Sequence, residues 1–372
     1  MMKRILEPQT DFDESVITAE AEPNYIPGLD GIRALAVSLV TVSHIGFGDF
    51  VPGGFGVTVF FFLSGFLITR LLLAEIRRTK TIRLRQFIAR RFLRLLPALF
   101  VMLGTTAVAY LIIGHPILTR QIVGALTYTM NYVKAYMPMT YDEQVWWQHL
   151  WSLAVEEHFY LLFPPILLAL KTTLRRAIWF CLAVIIGCSL WRSALWNVFE
   201  VTWVHNYVMT DARIDSIAWG CLLSLILEIR HGLVDRLVGW IPFGIGCALL
   251  LFCFGYRNFE FRYTWRFSLQ GAGLFLMFAN LYGWVALQPI ATKLLEVRPL
   301  RWLGKTSYGL YLWHLPAAHF TALLIEKQFG TPLFVTSALL LTVIPAALSF
   351  YLVERPFLRL RERFGSLTAA HR

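Results

Sequence analysis

The sequence predicts an all-α, polytopic integral membrane protein with about ten transmembrane helices and a basic amphipathic arm in the cytoplasm. Hydrophobic residues make up 57% of the 372 residues, and charged residues make up only 15%. Soluble domains average about 25% charged residues. Runs of roughly 20 mostly apolar residues, the length that a helix needs to cross a bilayer, recur between Leu29 and Leu352.

Each apolar run defines one predicted span. The segment 121–136 is too polar for a span and is predicted to be an interfacial or re-entrant helix on the outer side. The predicted spans are residues 29–47, 54–74, 95–114, 150–170, 177–197, 213–229, 237–255, 266–287, 305–326 and 332–352.

The distribution of positive charge predicts the orientation. Most of the 34 Lys and Arg residues fall in alternate loops, which the positive-inside rule assigns to the cytoplasm. We therefore expect both termini to be cytoplasmic and the protein to lie in the inner (plasma) membrane. The net charge of +11 then indicates this topology and attraction to anionic membrane lipids. No sequence motif points to nucleic acid, and none indicates the oligomeric state.

The chain divides into three predicted regions. Residues 1–24 are acidic and poor in aromatic residues, so we expect a disordered cytoplasmic tail. Residues 25–360 form the membrane-embedded domain, and residues 361–372 form a basic cytoplasmic tail. We expect neither a cleavable signal peptide nor an appended soluble domain. The five cysteines lack metal-ligand spacing and are predicted to be packing residues, with no metal bound.

The first span carries a polar stripe. His44 follows Arg33 by eleven residues, so at about 100° per residue both lie within roughly 20° of each other, with Asp30 on the same side. A neutral imidazole could accept a proton from a substrate hydroxyl near pH 7. Alternatively, His44 is an interfacial histidine at a helix end. The glycines that follow it favour close approach of a ligand.

The basic arm, residues 77–97, includes Arg90, Arg91 and Arg94. Guanidinium groups match phosphate oxygens, so the arm could bind a cofactor with several phosphates, such as coenzyme A. Alternatively, it anchors the protein electrostatically to the inner leaflet.

Adjacent acids enter the fourth predicted span. Trp151 belongs to an aromatic belt, and Glu156 and Glu157 lie one to two turns inside. Since neighbours on a helix point about 100° apart, at most one of the two carboxylates can face a given cavity. Favourable interaction with the helix N-terminus is the alternative explanation.

Two further segments hold ionisable residues. Arg213 and Asp215 open a span and could pair with each other. His314 lies near mid-membrane, where it could satisfy a carbonyl freed by Pro316. Glu354 is predicted to cap the last helix.

The order of these motifs resembles that of the acyltransferase-3 family of integral-membrane O-acyltransferases, over nearly the whole chain. The matching pieces are residues 28–34 (GLDGIRA), His44, 54–69, 90–97 (RRFLRLLP), 151–160 (WSLAVEEHFY), 213–215 (RID), 307–314 (SYGLYLWH) and 354–356 (ERP).

The resemblance implies roles for individual residues. His44 would be the essential histidine, acting as a base or a transient acyl carrier. We predict a catalytic set of His44, Glu156 and Glu157, a cofactor-binding set of Arg33, Arg90, Arg91 and Arg94, and a substrate-binding set of Trp151, Arg213, Asp215 and His314.

Two positions depart from the family pattern. Many members have Asp where this chain has Thr58, and Gln where it has His158. If the Asp orients the histidine in other members, another acid must do so here.

The implied function is transfer of an acetyl group from cytoplasmic acetyl-CoA to a hydroxyl of a cell-surface or exported glycan, such as O-antigen, exopolysaccharide or a lipid-linked sugar. Transfer on either membrane side fits the sequence. The alternative is a transporter or flippase for polysaccharide or lipid-linked sugar with a polar intramembrane pathway. A catalytically inactive scaffold is a third possibility. The basic arm and the absence of an inverted repeat favour the enzyme.

Overall fold

The computed structural model describes residues 26–137, 140, 146–170, 173–229, 235–325 and 330–362. Within these ranges every regular element is helical, and no strand occurs. The described part is thus all-α, as predicted. The predicted acidic tail (1–24) and the last ten residues of the predicted basic tail lie outside the described residues.

Seventeen α-helices are described, together with two π-helical turns and two 3₁₀ turns. The helices are α1 Leu29–Val42, α2 Gly53–Thr79, α3 Leu84–Ile112, α4 Thr119–Leu126, α5 Met130–Tyr136, α6 Trp151–Ala169, α7 Leu174–Asn197, α8 Trp203–Val208, α9 Thr210–Ile229, α10 Trp240–Gly255, α11 Phe259–Tyr263, α12 Arg266–Gly283, α13 Gln288–Leu295, α14 Arg298–Lys305, α15 Ser307–Leu324, α16 Pro332–Ser349 and α17 Arg355–Glu362. The π turns are Ser43–Phe47 and Phe350–Glu354, and the 3₁₀ turns are Gln148–Leu150 and Asp235–Leu237.

Helices lie at all ten predicted positions, but fewer are long and apolar enough to count as spans by themselves. Five qualify, and a sixth does if α12 and α13, bent by 102°, form one span. Helix α10 is shorter, and α6, α9 and α15 carry acidic, basic or histidine side chains that lower their hydropathy. The protein is therefore a multi-pass membrane protein, and the count of ten stays a prediction.

The structure locates the basic arm and corrects one local prediction. The arm is formed by the end of α2 and the start of α3, with a turn at Lys80 (φ 59°) between them. The segment 121–136, predicted to be one helix, is divided into α4 and α5 by a turn at Tyr128 (φ 55°).

Helices α2 and α9 approach each other backbone to backbone in the core. Gly65 of α2 lies against the carbonyl group of Ile217, and Gly220 of α9 lies against that of Phe62. A Cβ at either glycine would overlap the facing carbonyl oxygen. Small residues allow this backbone-to-backbone approach between membrane helices, so the two glycines set the spacing of the helices that line the site.

A buried ion pair fixes α7 and α12 against α9. Arg192 Nη2 lies 2.7 Å from Asp215 Oδ2, and both side chains are fully buried. The same guanidinium donates to the carbonyl oxygens of Thr264 (2.6 Å) and Ala212 (2.5 Å). Ser268 donates to Asp215 at 2.5 Å. Asp215 thus pairs with Arg192, and the pairing with Arg213 that the sequence suggested does not form.

The glycine crossing can be tested with matched alanine variants. Gly65→Ala or Gly220→Ala is expected to destabilise the protein by about 1–3 kcal/mol, since the added methyl group forces the two backbones apart. Gly187→Ala is the control, because nothing lies within 4 Å of a Cβ at that position on α7. Thermal unfolding in detergent would measure the difference. Equal midpoints for Gly220→Ala and Gly187→Ala would contradict the close crossing.

Candidate functional site

A deep cavity of about 550 Å³ lies between six helices, α1, α2, α3, α6, α9 and α15. We call it the arginine cavity. Along α2 its wall extends from Val57 to Arg77, which corresponds to about 30 Å of helix. The cavity therefore extends along most of the length of α2 and opens where Arg70 and Arg77 are exposed.

Five arginines line this cavity: Arg33, Arg70, Arg77, Arg91 and Arg94. At the mouth, Arg77 pairs with Glu228 at 2.6 Å. Deeper, Arg91 stacks on the Tyr160 ring, with its Cζ 4.0 Å from the ring centroid. Among the described residues the lining acids are Glu156 and Glu228, so this part of the wall carries more positive than negative charge and suits an anionic ligand.

One face of α6 contributes Ser152, Glu156 and Tyr160 to the wall. These side chains are four residues apart, so they lie above one another on the helix. Glu157 points elsewhere: it is buried, does not line the cavity, and its Oε1 has no hydrogen-bond partner among the described residues. The expectation that only one of the two glutamates could face a cavity is confirmed.

Three histidines meet at the other end of α1. The ring centroids of His44 and His314 are 5.1 Å apart, and those of His314 and His149 are also 5.1 Å apart. His314 and His149 are buried, whereas His44 is exposed. None of the three lines the arginine cavity. We call this group the histidine cluster.

A tyrosine separates the cavity from the histidine cluster. Tyr311 lines the cavity, and its ring centroid lies 5.3 Å from that of His314 and 5.4 Å from that of His149. Its hydroxyl donates to the carbonyl oxygen of His149 (2.8 Å) and accepts a hydrogen bond from Ser152 (2.6 Å). The wall between the two regions is thus a few side chains thick.

Hydrogen bonding defines the tautomers of two histidines. His44 Nδ1 lies 2.8 Å from the carbonyl oxygen of Val40, and His314 Nδ1 lies 2.6 Å from that of Tyr311. Because a carbonyl oxygen can only accept, both Nδ1 atoms carry hydrogen. In the neutral form of each ring, Nε2 is then the basic nitrogen. His314 therefore donates to the carbonyl of Tyr311. The carbonyl that Pro316 leaves without its helical donor is that of Leu312, so the predicted contact of His314 with a freed carbonyl is not the one observed.

Arg213 occupies an aromatic box next to the cavity. Its Cζ lies 3.9 Å from the ring centroid of Phe267 and within 5.6 Å of those of Phe61, Trp151 and Tyr207. The guanidinium donates to the Tyr207 carbonyl oxygen (2.8 Å) and to Thr58 Oγ1 (3.2 Å). Thr58, where many family members have Asp, thus contacts Arg213.

Several predicted site residues lie outside the arginine cavity. Arg90 pairs with Glu75 at 3.1 Å, and Asp215 is held in the Arg192 ion pair. His158 lies 2.7 Å from the Thr210 hydroxyl. Of the predicted sets, the cavity brings together Arg33, Arg91, Arg94 and Glu156. These positions do not test the predicted roles of Arg90 in cofactor binding and of Asp215 in substrate binding.

The predicted sets did not include Arg70, Arg77, His149 or Tyr311. Arg70 and the preceding wall residues Ser64 and Leu67 follow each other at three-residue spacing along α2, a helical pattern that could have marked this face. The sequence contains no such spacing pattern for His149 and Tyr311, because their contacts join elements that are far apart in the chain. Among the described residues, no group of three or more His, Cys, Asp or Glu side chains could hold a metal ion.

The arrangement fits a ligand with an anionic head and a slender arm. Arginines at the mouth and along the wall could bind phosphates, and apolar side chains such as Leu63, Leu67 and Leu153 line the space between. Glu156 is the ionisable acid in the deep part, where Arg33, Arg91 and Arg94 act on it electrostatically. The deep end of the cavity is closed by the hydroxyl groups of Ser152 and Tyr311. The imidazole rings of the histidine cluster lie behind these hydroxyl groups.

Comparison with known proteins identifies the family. Residues 26–351 match the family model described as an acyltransferase domain. The chain is similar to the peptidoglycan O-acetyltransferase OatA of Listeria monocytogenes serovar 1/2a, at 31% identity over 91% of this chain and 57% of the relative. It is similar to the O-acetyltransferase OatA of Staphylococcus aureus strain NCTC 8325, at 31% identity over 90% of this chain and 57% of that protein.

The chain therefore spans a little over half the length of these curated relatives. No solved structure gives a significant match. The family model covers most of the chain, including the arginine cavity and the histidine cluster. The chain belongs to the acyltransferase-3 family, as its motifs predicted.

Proposed function

We propose that this protein is a membrane O-acyltransferase that moves an acetyl group from acetyl-CoA to a hydroxyl of a cell-envelope glycan. One observation carries the proposal: a single cavity leads from an arginine-rich mouth past Glu156 to a thin wall, behind which lies the histidine cluster. The names of the relatives, peptidoglycan O-acetyltransferase and O-acetyltransferase, support a glycan acceptor such as peptidoglycan.

The donor fits the cavity by charge and shape. Arg70 and Arg77 at the mouth, with Arg91 and Arg94 further in, would bind the phosphates of CoA. The apolar wall would hold the arm that carries the thioester. Bound there, CoA supplies an activated acyl group. The positive-inside prediction places the mouth in the cytoplasm, where acetyl-CoA is made.

The acceptor would approach the exposed His44 at the other end of α1. Eleven residues of helix separate Arg33 from His44, about 16 Å. This separation supports acyl transfer across the membrane to an exported or lipid-linked glycan, with the protein in the inner (plasma) membrane and both termini cytoplasmic.

The chemistry exchanges a thioester for an oxygen ester. The bond between the acyl carbon and sulfur breaks and CoA leaves as its thiolate, the bond to the acceptor oxygen forms, and the hydroxyl proton is transferred to a base. Nε2 of neutral His44 is such a base, because its Nδ1 hydrogen is donated to Val40. A hydroxyl on the cavity side would instead lie near Glu156.

His44→Ala is expected to abolish glycan acetylation while leaving CoA affinity unchanged. General-base catalysis contributes about 10²–10⁴-fold, and His44 does not line the cavity. Wild type, His44→Ala and the control His115→Ala would be incubated in nanodiscs with radiolabelled acetyl-CoA and extracted envelope glycans. Full transfer by His44→Ala would remove this histidine from the mechanism. If the wild type bound no CoA, the transporter alternative would replace the enzyme.

The two adjacent glutamates provide a matched pair. Glu156→Gln is expected to lower the transfer rate at least about 100-fold, since its carboxylate faces the cavity. Glu157→Gln should change the transfer rate less than about fivefold, since the Glu157 carboxylate does not face the cavity. Initial rates at saturating acetyl-CoA would compare them. Equal losses of transfer rate in the two variants would show that the rate does not depend on which carboxylate faces the cavity.

Arg91→Gln and Arg94→Gln are each expected to weaken CoA binding about tenfold, the usual effect of losing one charge-assisted hydrogen bond. Arg85→Gln is the control, because Arg85 lies on the same helix but is exposed outside the cavity. Calorimetric titration with CoA would give the dissociation constants. An equal loss in Arg85→Gln would mean that the arm attracts CoA only by its overall charge.

A further inference from the structure

A second concave surface, of about 440 Å³, lies between α14, the π turn Phe350–Glu354 and the start of α17. It shares no lining residue with the arginine cavity. We call it the basic pocket. Its lining consists of four cations and three aromatic residues: Arg298, Arg301, Lys305, Arg355, Trp302, Phe350 and Tyr351.

The cations in this pocket are mostly not neutralised. Arg301 lies 3.4 Å from Glu296. Arg298, Lys305 and Arg355 are exposed, and none of them forms an ion pair with an acid in the part of the chain that the structure describes. None of the described residues that line the pocket is acidic. The basic pocket is thus a concave surface with surplus positive charge.

Aromatic side chains form the rest of the wall. Trp302 Nε1 donates to the Tyr351 hydroxyl at 3.0 Å, which fixes the two rings relative to each other. Tyr351 is nevertheless about half exposed. Tryptophan and tyrosine in this arrangement are typical of the boundary between the hydrocarbon core of a membrane and its headgroups.

An exposed apolar stripe extends from Leu352 in the π turn Phe350–Glu354 to Leu348 and Ile344 in α16. Ile344, Leu348 and Leu352 follow each other at four-residue spacing, and each is more than half exposed. In a membrane this stripe would face the lipid chains. A ligand whose phosphate group occupies the basic pocket would therefore have this apolar stripe beside the rest of its structure.

We propose that the basic pocket binds the headgroup of an anionic phospholipid, with its phosphate held by Arg298, Lys305 and Arg355. The acyl chains lie along Ile344, Leu348 and Leu352. Basic pockets between transmembrane helices on the cytoplasmic side bind such headgroups, and guanidinium groups match phosphate oxygens. The adjacent apolar stripe favours a lipid over a free phosphate ion.

The test compares lipid binding to the delipidated protein by native mass spectrometry. Phosphatidylglycerol, phosphatidylcholine and inorganic phosphate are added separately to wild type and to the triple variant Arg298→Gln, Lys305→Gln, Arg355→Gln. The control variant, Arg175→Gln, Arg176→Gln, Arg236→Gln, loses the same charge from exposed positions outside the pocket.

Phosphatidylglycerol is expected to bind wild type and control alike, and the triple variant at least tenfold more weakly, since each charge contributes about fivefold. Phosphatidylcholine should bind all three weakly. The single variant Lys305→Gln, expected to lose about fivefold, keeps the test valid if the triple variant does not fold. Equal binding of phosphatidylglycerol by wild type and either pocket variant would overturn the proposal. Displacement of the lipid by millimolar inorganic phosphate would assign the pocket to a free phosphate instead.

Discussion

The contact between the backbones of α2 and α9 at Gly65 and Gly220 is the constraint on which the site depends. With no side chain between them, the two helices hold their remaining residues at fixed positions. Toward one end, Ser64 and Ser224 face the arginine cavity, which leads to the Arg77–Glu228 pair. Toward the other end, Arg213 reaches Thr58. The arginine cavity and the aromatic box around Arg213 therefore both depend on the crossing of α2 and α9.

The two buried arginines next to this crossing, Arg192 and Arg213, have different kinds of partner. Arg192 is neutralised by Asp215 and hydrogen-bonded to backbone carbonyls, which a buried cation requires. Arg213 has aromatic faces, a carbonyl and a hydroxyl, and no carboxylate within ion-pair distance in the described part of the chain. Thr58 accepts a hydrogen bond from this guanidinium, so position 58 contacts Arg213, a buried cation beside the cavity.

The sequence predicted the helix positions and several cavity residues, because apolar runs and charged motifs are local signals. Arg33, Arg91, Arg94 and Glu156 were selected on those grounds and face one cavity. Contacts between distant helices leave no such local signal, so the contacts of His314 with His44 and with His149 were not predicted. The prediction of one helix over 121–136 was wrong, because the chain turns at Tyr128 between α4 and α5.

The thin wall between the arginine cavity and His44 has an electrical consequence. In an energised membrane, voltage falls mainly across the part of a protein that water does not enter. The layer that separates the arginine cavity from His44 is formed by Tyr311, His149 and His314. One elementary charge crossing a full potential of 100 mV gains or loses about 2.3 kcal/mol. In the proposed reaction a neutral acetyl group would cross this layer without that energy, whereas a proton moving through the same rings would gain or lose most of it.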